Sequence, residues 1–296
     1  MDVGNPTLDQ LRVFLAVHDE GSFNAAARKL GRAVSVISYG VGALEDQLGV
    51  SLFEREGSRR PVTTNAGRAL LSTARSIIDE TDSLIAQVRS INAGVETEIA
   101  LALDVMVPFD TVSAVLERFR QTYPLVDLRL HVETLGAVAA LVFDRTADLA
   151  IAGPDTPDFG ELAQREVGSV ELVPVAAPSH PLAQMKSIKA GQAAKYLQLV
   201  LSDRSKYTEG KDFSVFSPRN WRLADLGAKR ELLIAGSGWG NMPRHAIERD
   251  IAAGQLQILP LPEGASVNYR LHAFWRKDHL PGPATSWLLS ALEQVL

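Results

Sequence analysis

The first fifty residues carry three blocks in which apolar positions recur every three or four residues, a spacing that predicts amphipathic helices. The first block follows Thr7, which forms a capping-box pattern with Gln10, and it ends at Gly21. The second begins at Ser22 as N-cap, and the third occupies residues 34–48. We therefore predict three short helices packed on a shared core.

The third block separates an apolar stripe from other faces that remain free for contact. The stripe consists of Ile37, Val41, Leu44 and Leu48. The other faces carry Ser35, Ser38, Tyr39 and Gly42. Two helices joined by a tight turn form a helix-turn-helix arrangement, in which the second helix lies in the DNA major groove. This pattern predicts a DNA-reading helix.

Residues 49–64 read as a strand, a glycine turn and a second strand, with Arg59 and Arg60 at the tip. This pattern predicts a wing that contacts phosphates or the minor groove. The predicted DNA contacts of this winged helix-turn-helix domain are Ser22, Arg32, Ser35, Ser38, Tyr39, Gly42, Arg59 and Arg60.

Residues 65–92 continue with apolar positions at steps of three and four, which predicts one long helix. We interpret it as a linker helix that joins two subunits. Its predicted dimerisation residues are Leu70, Ile77, Leu84, Val88 and Ile91. The alternative is a helix whose apolar face is buried inside its own subunit.

From about residue 95 the pattern changes to short β-rich runs that alternate with helical segments, which predicts an α/β domain with mostly parallel sheets. The predicted strands are EIALALD, VDLRLHV, ADLAIAG, VELVPVAAP, LQLVLS, LQILP and VNYRLHAFW. We read GSGWGNMP as a glycine-rich entry to a helix, and the polar run 202–225 as a surface loop.

The charge balance limits how the chain can bind nucleic acid. The net charge of the chain is −5, so bulk electrostatic coating of nucleic acid is excluded and a local basic patch is required. In residues 1–65 the basic side chains cluster near the turn and wing, whereas several acidic ones flank the first helix. A three-helix protein-interaction module therefore remains the alternative to DNA binding.

Composition also narrows the chemistry. The chain has no cysteine, which excludes disulfides and cysteine-ligated metals, and its six histidines show no metal-ligand spacing. It has no HExxH, GxSxG or P-loop motif, so we predict neither an enzyme nor a bound cofactor or metal. No signal peptide or run of eighteen apolar residues occurs, which predicts a cytoplasmic protein without a membrane partner.

The stretch from Leu8 to Leu71, LDQLRVFLAVHDEGSFNAAARKLGRAVSVISYGVGALEDQLGVSLFEREGSRRPVTTNAGRALL, resembles the N-terminal segment of LysR-type transcriptional regulators. The resemblance implies a bacterial regulator that binds double-stranded promoter DNA and a small-molecule effector as a homodimer or homotetramer. Its implied domains are a winged helix-turn-helix at 1–64, a linker helix at 65–94 and an α/β effector domain at 95–296. That last domain would resemble periplasmic binding proteins, with lobe 1 at about 97–168 plus 268–296 and lobe 2 at about 169–267.

The sequence departs from the family at the reading helix. Members often carry Ser-Gln-Pro or Ser-Gln-Ser at its start, whereas this chain has Ala33-Val34-Ser35. Serine and tyrosine donate shorter, less discriminating hydrogen bonds than arginine and glutamine, which predicts an unusual operator preference. Gly40 and Gly42 indicate either a close approach to DNA or a marginal helix.

Ligands of open α/β sheets lie beyond the carboxyl ends of strands, and this rule selects the candidate effector contacts. They are Asp104, Val105, Met106, Thr134, Ser202, Asp203, Trp239 and Met242. Core packing is the alternative for Trp239 and Met242, and helix capping is the alternative for Asp104. The acidic residues leave a neutral, aromatic or amine-bearing effector open beside an organic acid.

Two other functions remain open at this point. One is an architectural or constitutive repressor whose C-terminal lobes only mediate oligomerisation, and an open polar cleft would count against it. The other is an α/β enzyme with an appended DNA-binding domain, and the missing catalytic motifs count against it.

Overall fold

The computed structural model describes residues 4–54, 61–153, 160–202, 205, 214–262 and 266–296. The chain divides into two compact units, Met1–Asn92 and Ala93–Leu296. Within the described residues, no helix combines the length and the apolarity needed to cross a membrane.

The first unit is helical, and its helices begin and end at local signals in the sequence. They are α1 (Leu8–Glu20), α2 (Phe23–Leu30), α3 (Val34–Leu48) and α4 (Asn65–Asn92). The capping box is confirmed, because the Gln10 backbone N–H donates to Thr7 Oγ1 while the Thr7 N–H donates to Gln10 Oε1 at 2.8 Å. Ser22 caps α2 by accepting the Ala25 N–H at 3.1 Å, as predicted.

The core of the first unit is built around Phe53, which follows α3. Its ring meets those of Phe14 and Phe23 edge to face, at centroid distances of 5.7 and 6.0 Å. The predicted stripe of α3 is confirmed for Ile37 and Leu44, which are fully buried in this core. Burial of one face fixes which side of α3 remains outside.

The second unit is a mixed α/β structure. Its strands are β1 (Glu98–Asp104), β2 (Asp127–Glu133), β3 (Leu149–Ala152), β4 (Leu162–Ala176), β5 (Gln198–Leu201), β6 (Asn220–Leu223), β7 (Trp239–Pro243), β8 (Gln257–Ile258) and β9 (Val267–Arg276). Its helices are α5 (Phe109–Thr122), α6 (Gly136–Phe143), α7 (Leu226–Ile234), α8 (Arg244–Ala252) and α9 (Pro283–Glu293).

The strands of the described residues form one sheet in the order β2-β1-β3-β9-β4-β7-β5-β6, with β8 beside β4. The prediction of mostly parallel pairing is wrong for the middle of this sheet, where the long strands β4 and β9 pair with each other antiparallel. Their register shifts between Glu166 and Gly168. A Cβ at Gly168 would lie 2.2 Å from the Leu296 carbonyl carbon, so this position has no room for a side chain.

The sheet carries two groups of apolar cores, which we call lobes. The first lobe contains β1–β3 with α5, α6 and α9, and the second contains β5–β7 with α7 and α8. The chain passes between the lobes along β4 and β9. Two predictions in the second lobe are corrected: 239–243 is strand β7 rather than a helix entry, and the run 202–225 contains strand β6.

Candidate functional site

The outer face of α3 presents the side chains predicted to read DNA. Tyr39 is 78% exposed, and Ser35 and Ser38 are also exposed. Within the described part of the chain, no side-chain hydrogen bond occupies these three residues. Because Ile37 on the same helix is fully buried, the exposed residues lie on the face that is free to contact a partner.

Two further predicted DNA contacts are already engaged within the first unit. The Ser22 hydroxyl oxygen caps α2, which leaves its hydrogen for a phosphate. Arg32 binds Asp9 through two hydrogen bonds of 2.7 Å each, and its guanidinium lowers the pKa of the Asp9 carboxyl. Exposed ion pairs contribute little, so a phosphate can compete for Arg32.

The base of the predicted wing is fixed to the helices, whereas Arg59 and Arg60, which were predicted at its tip, lie outside the described residues. Phe53 and Thr63 form an antiparallel bridge on the two sides of the wing. Glu45 Oε1 of α3 accepts the backbone N–H groups of Leu52 and Phe53 at 2.6 and 3.1 Å. The wing therefore starts from a position that α3 sets directly.

The two glycines of α3 differ in their surroundings. A Cβ at Gly40 would reach ordinary contact with Val13 at 3.4 Å, whereas a Cβ at Gly42 would meet nothing within 4 Å. Packing against α1 accounts for a small residue at position 40. Open space at Gly42 leaves the predicted close approach of DNA as an expectation at that position.

The surroundings of the linker helix α4 differ between its early and later turns. Its early turns cover the core of the first unit, where Leu70 packs partly buried, and the assignment of Leu70 to dimerisation stays a prediction. Further along, the exposed apolar side chains are Ile77, Leu84, Ile85, Val88 and Ile91. Leu84 is 59% exposed and Ile91 is 55% exposed. Such a continuous apolar strip is typical of an interaction surface.

In the second unit, Asp104 lies at the carboxyl end of β1 and is almost completely buried. Its carboxylate accepts the Met106 N–H at 2.9 Å and the Tyr269 hydroxyl at 3.1 Å, and the Leu135 N–H donates to it at 3.2 Å. Burial raises the pKa of Asp104 to about 6, although these hydrogen bonds oppose the rise. Asp104 thus joins the chain segments around it, but the helix-capping alternative does not describe its role, because the N-caps of α5 and α6 are Pro108 and Leu135.

Two other predicted effector residues join the lobes. The Thr134 hydroxyl, beyond the end of β2, donates to the backbone oxygen of Ser202, beyond β5, at 3.2 Å. Val105 and Asp104 line a cavity of about 290 Å³ that also includes residues 225–227 of the second lobe. Asp203 lies outside the described residues.

The assignment of Trp239 and Met242 to the effector site is wrong. Both side chains are fully buried in cores of the second lobe, and the Trp239 indole N–H donates to the Ala193 backbone oxygen at 3.1 Å. The physical reason is that residues 239–243 form a strand within the sheet, where large apolar side chains pack against the covering layers.

A larger cavity of about 350 Å³ lies between the lobes and includes Met106 among its lining residues. Its volume is in the range of small-molecule sites. Sequence reasoning missed Lys229, Asn241 and Tyr269 on its wall. Burial lowers the pKa of Lys229 to about 7. In the sequence, Lys229 stands next to Arg230 in a helical stretch, and two adjacent basic residues are typical of a solvent-exposed helix face. The sequence pattern therefore did not predict the burial of Lys229.

The described residues contain no group of three or more His, Asp or Glu side chains arranged to hold a metal ion.

Comparisons with known proteins agree with this division. Residues 8–68 match the family described as bacterial regulatory helix-turn-helix protein, lysR family, and residues 92–296 match the LysR substrate binding domain. The chain is 30% identical to the HTH-type transcriptional regulator YhaJ of Escherichia coli O157:H7, over 98% of this chain and 96% of that protein. It is 29% identical to the HTH-type transcriptional activator AllS of Klebsiella pneumoniae, over 84% and 93% of the two chains.

Solved structures share the fold at lower identity. A C206 mutant of Corynebacterium glutamicum OxyR is 22% identical with a TM-score of 0.53, covering 98% of this chain and 92% of that chain. LysG from Corynebacterium glutamicum, solved at full length with bound effector Arg, is 22% identical with a TM-score of 0.51, covering 98% and 97%. The related sequences are transcriptional regulators rather than enzymes. The chain belongs to the LysR family of bacterial transcriptional regulators, with a helix-turn-helix DNA-binding domain and an effector-binding domain.

Proposed function

We propose that this regulator binds promoter DNA as a homodimer, with the exposed face of α3 in the major groove, and that an effector in the larger cavity controls this binding. The observation that carries the proposal is the division of α3 into two faces: Ile37 is fully buried, while Tyr39 is 78% exposed. A helix that packs against its own domain with one face and exposes the other to solvent can enter a DNA groove while that domain stays folded.

The dimer is proposed from the exposed strip on the later turns of α4. Two copies of the strip would cover Leu84, Val88 and Ile91, and pairing would place two copies of α3 on one DNA. Because the described part of the first unit ties Arg32 to Asp9, one copy holds DNA weakly, and a second copy doubles the contacts. Association of two dimers into a tetramer extends this proposal on the basis of the family.

The cavity between the lobes favours effector control over a constitutive repressor. This cavity is open, and Lys229 and Asn241 on its wall are polar. If the lobes only mediated association, we would expect side chains to fill the space between them. Because the proposed target is the bacterial chromosome, the protein would act in the cytoplasm.

The test begins with selection of bound sequences from randomised DNA, followed by fluorescence anisotropy at low and moderate salt. Tyr39→Ala removes a contact to base edges, so we expect a changed sequence preference and on the order of tenfold weaker binding to the selected site. Tyr123→Phe, a tyrosine change in the second unit, is the matched control and should leave the preference unchanged. An unaltered preference in Tyr39→Ala would remove α3 as the reading helix.

A further inference from the structure

The larger cavity contains a buried lysine. Lys229 lies in α7 and is 3% exposed, and its Nζ donates to the backbone oxygen of Asn241 at 2.6 Å. An ammonium has three donor hydrogens, and this bond uses one of them. Lys229 also belongs to the cavity wall, so its remaining donors adjoin a space large enough for a small molecule.

The neighbouring strand leaves room for this side chain. Gly240 of β7 faces Lys229, and a Cβ at that position would lie 3.2 Å from Lys229 Cε and 2.4 Å from the Leu199 backbone oxygen. A side chain on the strand would therefore displace the lysine stem or open the β5–β7 contact. Glycine at this position therefore leaves room for the Lys229 stem beside β7.

Lys229 has no carboxylate partner among the described residues. None of them forms an ion pair with it, and no acidic residue is found among the described residues that line the cavity. Of the two acidic residues predicted to contact the effector, Asp104 lies on the other cavity and is satisfied by its own donors, and Asp203 lies outside the described residues. Burying a cation without a counterion costs free energy. Burial therefore favours the neutral amine of Lys229 over its ammonium form.

The rest of the wall combines apolar residues with neutral polar ones, among them Gln198, Asn241 and Asn268. Side chains from both lobes and from β9 contribute, namely Met106, Leu135, Leu172, Val200, Leu201 and Val267. The Gln198 amide oxygen accepts the Phe216 and Ser217 N–H groups, and its nitrogen donates one hydrogen bond to the Ser214 backbone oxygen. The cavity thus combines one incompletely paired cation with apolar and neutral polar residues from both lobes.

We propose that the effector is a small organic acid whose carboxylate pairs with Lys229 while its apolar part fills the space between the lobes. This inference rests on the proposed function, since it names the ligand class of the same cavity. It also resolves the alternatives that the sequence left open: an amine-bearing ligand would place two cations together, and an amide or alcohol would leave the ammonium without a counterion. A single cation balances the one negative charge of a monocarboxylate better than the two charges of inorganic sulfate.

The experiment uses the full chain and matched pairs of probes in thermal melts and calorimetry. The acids are benzoate, hexanoate and octanoate, and the comparison compounds are benzamide, hexanamide and octanamide, with sulfate as a separate probe. We expect at least one acid to raise the melting temperature of the wild type while its amide does not. Lys229→Met should weaken that acid on the order of thirtyfold or more, and Lys229→Arg should retain part of the binding. Lys186→Met, which changes an exposed lysine of the same lobe, should bind like the wild type.

Several outcomes overturn the inference. They are equal stabilisation by acid and amide, no stabilisation by any acid, the same effect from sulfate alone, or unchanged acid binding in Lys229→Met. The acid–amide comparison in the wild type decides the question even if a variant fails to fold. A protein that binds its promoter DNA but ignores every acid contradicts this inference alone, whereas one that binds acids but no DNA contradicts the proposed function alone.

Discussion

Asp104, a residue that is only 1% exposed, joins three segments of the chain through its side-chain carboxylate. Met106, Leu135 and Tyr269 all donate to it, so the side chain connects β1, the start of α6 and β9. Removing water from a carboxylate disfavours its charged form, and here that effect exceeds the opposite effect of the hydrogen bonds. The pKa is consequently raised from 3.8 to about 6.

This shift predicts a pH dependence of stability whose sign is fixed. A carboxyl with a raised pKa binds its proton more tightly in the folded chain, so its contribution is fully present below about pH 3.8 and is lost as pH rises through about 6. We expect the unfolding free energy of the wild type, relative to Asp104→Asn, to fall by about 2 kcal/mol between pH 4 and 7.

The measurement is urea unfolding followed by tryptophan fluorescence. All four tryptophans, Trp221, Trp239, Trp275 and Trp287, belong to the second unit, so the signal reports that unit. Asp127→Asn, at an exposed carboxylate of β2, is the control and should follow the wild-type pH profile. Parallel profiles for wild type and Asp104→Asn would show that Asp104 is charged throughout.

Residue identity alone predicted the exposed positions of α3 better than the wall of the cavity. Ser35, Ser38 and Tyr39 could be placed outside because the apolar residues 37, 41, 44 and 48 recur at helical spacing and define a separate, buried face. Lys229 could not be placed, because its burial depends on a glycine eleven positions later on a strand that packs against its helix. Long-range packing of this kind leaves no periodic signal in a single sequence.

At the scale of elements, α4 offers the sharpest test of the dimer. Leu84 is exposed near the middle of the apolar strip, and a glutamate there would bury a charge wherever two strips meet. We expect Leu84→Glu to weaken self-association on the order of 100-fold or more, since an unpaired buried charge costs several kcal/mol. Sedimentation equilibrium over a range of protein concentrations measures the change.

The same helix supplies the control. Ser83 is also exposed, but it lies about 140° from Val88 around the helix axis at 100° per residue. Ser83→Glu therefore adds the same charge away from the strip and should associate like the wild type. Equal association of the two variants would mean that another surface joins the subunits.

Elements with local signals were predicted well, and elements defined by their neighbours were not. The ends of α1 and α2 follow from Thr7, Gln10 and Ser22, whose side chains bond within three residues. Strand β7 has Gly240 and Asn241 between Trp239 and Met242, so in sequence it looks like a glycine-rich helix entry, yet it pairs between β4 and β5. The antiparallel pairing of β4 with β9 joins segments about a hundred residues apart, which no window of sequence displays.

For the whole molecule, control of DNA binding by a ligand is a coupling between two sites, and such coupling is reciprocal. The lobes are joined by β4, β9 and the hydrogen bond from Thr134 to Ser202, and the larger cavity is lined by both lobes. A ligand there shifts the protein only to the extent that it binds one arrangement of the lobes more tightly than another. A tenfold effect on DNA affinity corresponds to about 1.4 kcal/mol of such a difference.

Reciprocity gives the final prediction. If a saturating acid changes the dissociation constant for promoter DNA by some factor, bound DNA must change the dissociation constant for the acid by the same factor. We expect equal factors in the wild type and in Lys186→Met when anisotropy and calorimetry are compared. In Lys229→Met both factors should approach one, while DNA binding without acid is retained, because the lysine belongs to the effector-binding domain alone. An acid that binds the wild type tightly but leaves DNA affinity unchanged would separate the cavity from regulation, since a ligand with equal affinity for every arrangement shifts none of them.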